Sequence, residues 1–423
     1  MPRPDPRADL LALEQIGIKL GLDHVRALVD RLGRPDSAFP SVIVAGTNGK
    51  GSVTAMIERG LRAAGYRTGR FTSPHLIDLE ERFALDGESI VPAVLDEAAA
   101  RVLDAVTTLP APPTFFEATT ALALDVFRHA RIDVAVLEVG LGGRLDATNV
   151  VDATAAVITA VDFDHEQYLG RTIEAIAAEK AGVIKPGAVV VLAPNPPEVD
   201  AVVAGTCLRV GASLVRANDG VVMTARMSDG RAHVTLATPQ RSYGTLRLAL
   251  AGRHQVDNAM TTVRLLETLS TTRGFEISAD AIRRAVEDVV WPARLETIRV
   301  GSAEVLLDGA HNPAGARALA GHLQETYRRR VPMVVGVMRD KAVDALVAAL
   351  APAAAHFVFT SASTARAATP ADLAEAAARV APGVPVAIGS DPVRAVTAAA
   401  AFGSPVVVAG SLYLAGEIRA HRS

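Results

Sequence analysis

The run Ser41-Val-Ile-Val-Ala45 leads without a break into Gly46-Thr-Asn-Gly-Lys-Gly-Ser52, and a helix-like segment, Val53 to Ala64, follows. A strand that turns through glycines into a helix presents backbone N–H groups and the positive end of a helix dipole to one point, and that point is a cradle for phosphate. Here Thr47, Asn48, Gly49 and Gly51 form the turn, Lys50 reaches the terminal phosphates and Ser52 holds a Mg²⁺. The chain is therefore expected to spend a nucleoside triphosphate. Its spacing departs from the common phosphate-loop pattern, which wants four residues between the first Gly and Gly-Lys and a Ser or Thr directly after Lys. That departure points away from GTPases and motor ATPases. The competing reading, a tight glycine turn with a solvated lysine, is opposed by the strand before it and the helix behind it.

Strand-like and helix-like segments alternate through most of the 423 residues, which argues for a parallel sheet with helices on its faces. Early strands are expected at Val42–Ala45, Val134–Gly140, Thr154–Val161 and Ala188–Leu192, with helices at Phe116–Ala130 and Ile173–Ala181. Val221–Met227 and Ala232–Ala237 read as a β-hairpin and an antiparallel addition to the main sheet. The last third repeats the rhythm, with strands at Glu304–Leu307, Met333–Val337, His356–Thr360, Val384–Ile388 and Pro405–Ala409. Helices there start near Pro313, Ala342, Pro370, Pro392 and Tyr413. This is a second, Rossmann-like unit with no phosphate loop of its own. The boundary falls near Trp291-Pro292, after the helix Ala279–Val289, and divides the chain into residues 1–291 and 292–423.

A net charge of -3 gives no reason to expect non-specific nucleic-acid binding, and 4% aromatic residues leave few stacking platforms for single strands. The N-terminus has no apolar signal region, and no apolar stretch approaches the roughly 20 residues that span a bilayer. A lone cysteine, Cys207, excludes an intrachain disulfide and suits a reducing cytoplasm. The expected partners are small molecules, with neither nucleic acid nor membrane, and the expected state is a monomer.

Chemistry-bearing residues gather at expected strand ends, where open α/β sheets bind ligands. Glu138 opens Glu138-Val-Gly-Leu-Gly-Gly-Arg-Leu-Asp-Ala-Thr-Asn149 and stands where a metal-bound γ-phosphate would sit; the alternative is a glycine-rich loop with a solvated acid. Asp162-Phe-Asp-His165 ends the next strand, and its neighbouring acids favour His165 as a ligand over a packed or surface histidine. An imidazole on Mg²⁺ would be unusual. Lys180 reads from composition as a surface lysine. In Asp308-Gly-Ala-His-Asn-Pro313, the carboxylate of Asp308 and the imidazole of His311 can hold a ribose or phosphate, or the segment is an Asx-type turn capping the next helix. Arg253-His-Gln-Val-Asp-Asn258 opens a helix, and Arg294 lies just past the boundary, as for an arginine that reaches phosphates from a second domain.

Taken in order, Gly46 to Ser52, Ser73-Pro-His-Leu76, Glu138 to Asn149, Asp164-His165 with Leu169-Gly170, Glu179-Lys-Ala-Gly182, Asp308 to Pro313 and Gly410-Ser-Leu-Tyr413 resemble the folylpolyglutamate synthase / dihydrofolate synthase family, relatives of the Mur peptidoglycan ligases. The resemblance covers nearly the whole chain. It implies an α/β fold: a P-loop-containing, Mur-ligase-like ATPase domain followed by a smaller Rossmann-like domain. It also implies an ATP-dependent ligase that adds L-glutamate to dihydropteroate, to tetrahydrofolate, or to both, through an acyl phosphate. Ser52, Ser73, Glu138 and His165 would hold one or two Mg²⁺ ions, and Lys180 would be carbamylated. Lys50, Glu138, His165, Lys180 and His311 would be catalytic. Asn258, Arg294, Asp308 and His311 would contact ATP across the interdomain cleft. Thr114, Phe116 and Asp146 match pterin-holding positions, and Ser411 with Tyr413 lies near the glutamate side. The short segment before Gly46 leaves no room for the N-terminal UDP-sugar domain of Mur ligases. Two departures stand out: Pro292-Ala-Arg294 stands where the family often has Pro-Gly-Arg, and Ile77-Asp-Leu-Glu-Glu-Arg82 keeps the Glu-Arg pair but carries extra acids expected to line the substrate region. A monofunctional polyglutamylating enzyme, a paralogue using another amino acid, and a non-catalytic ATP-binding scaffold are the alternatives.

Overall fold

Strand β1 (Ser41–Ala45), which carries the phosphate loop, is buried along its whole length inside an eight-stranded sheet. The structure is a computed structural model that describes residues 5–228 and 230–422. The sheet's other strands are β2 (Thr68–Phe71), β3 (Phe83–Leu85), β4 (Glu88–Ser89), β5 (Val134–Glu138), β6 (Ala155–Ile158), β7 (Val189–Leu192) and β8 (Ser213–Arg216), in the order β4-β3-β2-β5-β1-β6-β7-β8. Only the β2–β3 and β3–β4 pairs are antiparallel. The central strands are short runs of Val, Ile, Leu and Ala because helices cover both faces of the sheet. The phosphate-loop helix spans Lys50–Ala63, three residues earlier than the apolar pattern predicts, because Gly49 takes φ 89 and turns the chain into the helix at once. Gly46 admits no side chain at all: a Cβ there would lie 1.8 Å from Thr159 Oγ1.

The hairpin strands are β9 (Val222–Ser228) and β10 (Arg231–Ala237), and the turn residue Asp229 lies outside the described residues. They are not an addition to the main sheet. A further strand, β11 (Ser242–Ala251), joins them in a separate three-stranded antiparallel sheet. The physical reason lies in the alternation: Ala232, Val234 and Leu236 are buried, so the sheet has one apolar face of its own to cover. That face shares a core cluster with Val256, Val263 and Leu266 of the helix His254–Thr272. Glu267 of this helix is fully buried and accepts from Thr238 Oγ1 (2.7 Å), Tyr243 OH (2.9 Å) and Arg264 Nη1 (3.1 Å), which ties sheet to helix.

The third sheet comprises β12 (Arg294–Val300), β13 (Ala303–Asp308), β14 (Val331–Val335), β15 (Ala354–Phe359), β16 (Val386–Ile388) and β17 (Val406–Ala409), ordered β12-β13-β17-β14-β15-β16. Its strands run parallel except β12, an unanticipated edge strand that hairpins onto β13 through Gly301 at φ 57. Helices begin at Pro313, Pro370 and Pro392, where a missing N–H costs nothing. The chain enters this sheet through two non-glycine residues in left-handed geometry, Ala293 (φ 54) and Leu295 (φ 51). Among the described residues no helix is long and apolar enough to cross a membrane.

Gly60 lies inside the phosphate-loop helix, and a Cβ there would fall 2.5 Å from Leu266 Cδ1 and 2.9 Å from Ala285 Cβ. Gly60→Val should overpack this three-helix contact and cost about 1–3 kcal/mol. The check is thermal unfolding: an unchanged midpoint would show that the contact can relax at no cost.

Candidate active site

A cavity of ≈ 600 Å³ opens where the carboxyl ends of β1, β5 and β6 face the loops after β13, β14 and β17. Gly46 to Ser52 form its floor. Lys50 Nζ folds back to donate to Gly46 O (3.2 Å) and Thr47 O (3.1 Å). Thr47 is locked to the β6 loop: its hydroxyl donates to Asp162 O (2.9 Å), and its N–H and that of Asn48 both donate to Ala160 O. Gly49 packs on Asn258, and Gly51 packs on Trp291, where a Cβ would meet the indole Nε1 at 2.9 Å. Ser52 Oγ accepts from Gln255 Nε2 (3.2 Å), whose own Oε1 accepts from Asn258 Nδ2 (2.9 Å).

Lys180 is not a surface residue. It is 3% exposed, and its Nζ donates to the same Gly46 O at 2.8 Å. Glycines make the approach possible: a Cβ on Gly143 would lie 2.9 Å from the carbonyl oxygens of Glu179 and Lys180, so the end of the helix Ile173–Ala181 can press against the Gly143 loop. Burial, and then the neighbouring charge of Lys50, pull Lys180 from the ordinary lysine value of 10.5 down to about 7. Lys50 is lowered as well, by its place deep in the cleft. Glu138, at the end of β5, accepts from the Ser73 N–H at 3.3 Å. Burial raises its pKa, against the opposing pull of Lys50 and Arg294.

His165 sits at φ 51 with Nε2 2.9 Å from Lys341 Nζ, and the same ammonium donates to Asp164 Oδ1 at 2.7 Å. Burial, followed by Lys341, lowers His165 to about 4. Asp164 is driven the opposite way: burial would raise it, but Lys341, His165 and His311 together hold it well below the carboxylate range. Asn312 Nδ2 bridges Asn48 Oδ1 (3.0 Å) and Asp164 Oδ2 (3.2 Å) from the far side of the cleft.

Both oxygens of Asp308 are occupied by backbone, accepting from Leu295 N (3.1 Å) and Ala310 N (2.9 Å). The Asx-type turn is therefore present, but the following helix is capped by Asn312, whose Oδ1 accepts from Gly315 N at 2.9 Å. His311 Nδ1 faces Gly309 O at 2.8 Å, and burial with Lys341 lowers its pKa to about 4. The Arg294 guanidinium lines the cavity and bonds back to Ala293 O at 2.8 Å.

Thr114, Phe116, Asp146, Ser411 and Tyr413 line the same cavity. Thr114 caps the helix Phe115–Ala130, the Phe116 ring lies against Gly140, and Ser411 Oγ accepts from Tyr413 N. Asp146 is pinned by Leu141 N (2.8 Å) and by Thr148 N (3.0 Å) and Oγ1 (2.5 Å). The extra acids after Ser73-Pro-His-Leu76 do not line the cavity. Asp78 opens the turn Leu79–Arg82 and Glu80 pairs with Arg7, while Glu81, of the Glu-Arg pair, accepts the N–H groups of Leu76, Ile77 and Asp78.

Among the described residues no three His, Cys, Asp or Glu side chains converge as a ready-made metal site. Mg²⁺ typically takes one or two carboxylates and completes its shell with phosphate and water. Glu138 and Ser52 beside a phosphate loop fit that requirement, and His165 adds a neutral imidazole.

The Mur ligase middle domain matches residues 44–266, and the Mur ligase glutamate ligase domain matches residues 293–412. The chain is similar to the dihydrofolate synthase/folylpolyglutamate synthase of Bacillus subtilis, at 33% identity over 422 residues and 98% of both chains. This chain belongs to the dihydrofolate synthase/folylpolyglutamate synthase family. The Mycobacterium tuberculosis member is 37% identical over 382 residues, covering 83% of this chain and 78% of that one. The structure of M. tuberculosis folylpolyglutamate synthase complexed with ADP and AMPPCP superposes with a TM-score of 0.89 at 35% identity, over 98% of both chains. The Escherichia coli enzyme in complex with DHPP and ADP gives 0.87 at 30% identity, over 99% of this chain and 98% of that one. A bifunctional folylpolyglutamate synthase/dihydrofolate synthase with Mn, AMPPNP and L-glutamate bound gives 0.86 at 30% identity, over the same shares. The protein is an ATP-dependent ligase.

Sequence reasoning did not assign roles to Gln255, Asn312, Asp164 or Lys341 of this ligase. Lys341 follows a strand's carboxyl end, so the rule that found Glu138 and Asp308 applies to it as well. The depressed pKa of Lys180 has a stability consequence. Between about 7 and 10.5 the folded chain binds fewer protons at this residue than the unfolded chain, so stability rises with pH across that window. The penalty of the buried ammonium is fully present below pH 7 and is gone above the unfolded value. Lys180→Met should therefore flatten the pH dependence of urea unfolding between pH 7 and 10 in CO₂-free buffer. An unaltered slope would mean that Lys180 titrates as an exposed lysine.

Proposed function

We propose that the ligase joins L-glutamate to dihydropteroate and to tetrahydrofolate, and extends the glutamate chain, through an acyl-phosphate intermediate. The observation that carries this reading is the convergence of the Lys50 loop, Glu138 and Arg294 on one cavity whose other wall is Thr114, Phe116 and Asp146. The bound DHPP, nucleotide and L-glutamate of its structural relatives support the same substrates for this chain.

In this mechanism a carboxylate oxygen of the pterin substrate attacks the γ-phosphorus of ATP, and ADP leaves. The amine of L-glutamate then attacks the acyl carbon, the C–O bond to phosphate breaks, and the amine loses a proton. Lys50 and Arg294 neutralise charge on the transferring phosphoryl group from opposite sides of the cleft. Ser52, Ser73, Glu138 and His165 are the residues we assign to one or two Mg²⁺ ions, which when bound add further neutralisation of phosphate charge. His311, neutral near pH 7, and Asn258 contact the nucleotide. Asp308 holds the turn from which Arg294 projects. Contacts across the cleft, such as Asn312 to Asn48, keep water from the acyl phosphate. We assign Ser411 and Tyr413 to the glutamate side.

Lys180 is the residue we assign to carbamylation. With its pKa at about 7, an appreciable fraction is free amine at neutral pH and can add to CO₂ with loss of a proton. The product exchanges a buried cation for a carboxylate-like anion beside the phosphate loop. We further propose that the enzyme works as a monomer in the cytoplasm, where its single, buried cysteine stays reduced.

Phosphate release with ATP, Mg²⁺ and L-glutamate should occur with dihydropteroate and, separately, with tetrahydrofolate. Turnover with tetrahydrofolate alone would leave a polyglutamylating enzyme, and silence with both in ATP-binding protein would overturn the reading. Lys180→Ala should lower turnover by roughly 100-fold or more while retaining nucleotide binding.

A further inference from the structure

Two ligands converge on the ammonium of Lys341, a residue of the loop after β14. Asp164 Oδ1 lies at 2.7 Å and His165 Nε2 at 2.9 Å, both from the other side of the cleft. An ammonium has only donors, so Nε2 presents its lone pair and the ring proton sits on Nδ1. That Nδ1 is buried with no hydrogen-bond partner, 4.0 Å from Asp340 Oδ2. The ring is thus held by what Nε2 faces. A carboxylate oxygen and an imidazole lone pair aimed at one point are the donor set of a cation site. Lys341, with a side chain 7% exposed, fills it.

We propose that Lys341 is the protein's own counter-cation at Asp164 and His165, and that the divalent ion expels it on binding, so that metal loading is coupled to release of an interdomain tie. The proposal rests on the assignment of His165 to the ion. One lone pair cannot serve an ammonium and a metal together, and two cations a few ångströms apart in an enclosed cleft repel strongly. Asn312 still joins Asn48 and Asp164, and Arg317 still joins Asp162, when Lys341 leaves. The seam is loosened at one point rather than opened. Without nucleotide and metal, the ammonium keeps His165 and Asp164 oriented.

The test is Mn²⁺ binding, followed by electron paramagnetic resonance, in full-length protein saturated with ADP. Lys341→Met should bind Mn²⁺ about tenfold tighter than wild type, within the 5–150-fold range usual for coupled sites. Lys341→Arg, which keeps the charge, should stay near wild type. Lys19→Met removes an equal charge elsewhere on the cavity wall and should change nothing. Unchanged or weaker binding in Lys341→Met, or equal tightening in Lys19→Met, overturns the proposal. His165→Ala separates the two readings. If it binds Mn²⁺ as tightly as wild type, the assignment of His165 falls and takes the proposal with it. If it binds more weakly while Lys341→Met does not tighten, only the proposal falls. Thermal melts of each variant establish that the fold is intact.

Discussion

Two lysine ammonium groups share one acceptor, the carbonyl oxygen of Gly46. Burial governs the charges around them. Lys50, Lys180 and Arg294 are all shifted toward their neutral forms by burial, and Glu138, Asp146 and Asp308 are shifted toward theirs. Desolvation opposes charge of either sign, and the pairs of opposite sign only partly offset it. Buried cations in this condition are stabilised by an anion brought against them. A triphosphate supplies that charge, and it favours the charged forms of Lys50 and Arg294 where they touch it. Attraction for a polyanion is thus shared between Lys50 and Arg294.

The seam between the two α/β units shows how the second unit is aimed. Ala293 and Leu295 stand on either side of Arg294 in left-handed geometry, a conformation that costs of order 1–3 kcal/mol at a non-glycine residue. Such strain persists only where surroundings over-determine it. Gly309 N donates to Ala293 O, Leu295 N donates to Asp308, and Ala293 N donates to Glu296. With both its oxygens engaged, the Asp308 carboxylate buttresses the backbone that projects Arg294. Ala293 is therefore held in this geometry at the expense of strain that these three bonds keep in place.

How much of this could be read from residues alone depended on how local its cause was. Short runs such as Val134–Glu138 and Val189–Leu192 were legible because a strand covered on both faces is apolar throughout. Strands β11 and β12 were not, since each mixes polar and apolar residues along an edge that only its neighbours define. Glu138, His165 and Asp308 were legible because chain direction alone puts strand ends on the ligand side. The burial of Lys180 was not: a lysine between Glu179 and Ala181 looks solvated until the missing side chain of Gly143 lets its helix close in. Asp164 and Lys341 are 177 residues apart, and no local pattern relates them.

The cavity is lined by two kinds of side chain, and that difference bears on substrate class. One part of the lining is ionic, built from Lys50, Glu138, Lys180, Arg294 and the Asp164–Lys341 pair. The other is largely apolar: Phe116, Leu141 and Leu145 line it, as do Ile18 and Leu20, which are 50% and 43% exposed between the left-handed Gly17 and Gly21. Exposed apolar side chains at the wall of a ligand cavity lose that exposure when an aromatic surface covers them, at roughly 25 cal/mol per Å². A sugar nucleotide would bring hydroxyls to this wall and leave them unpaired. A flat heteroaromatic acid suits both parts of the lining, its rings the apolar side chains and its carboxylate the ionic ones. Two buried carboxylates stand in this wall: Glu117 accepts from Thr114, and Asp146 accepts from Leu141 and Thr148, so neither has to be desolvated again when a ring covers it.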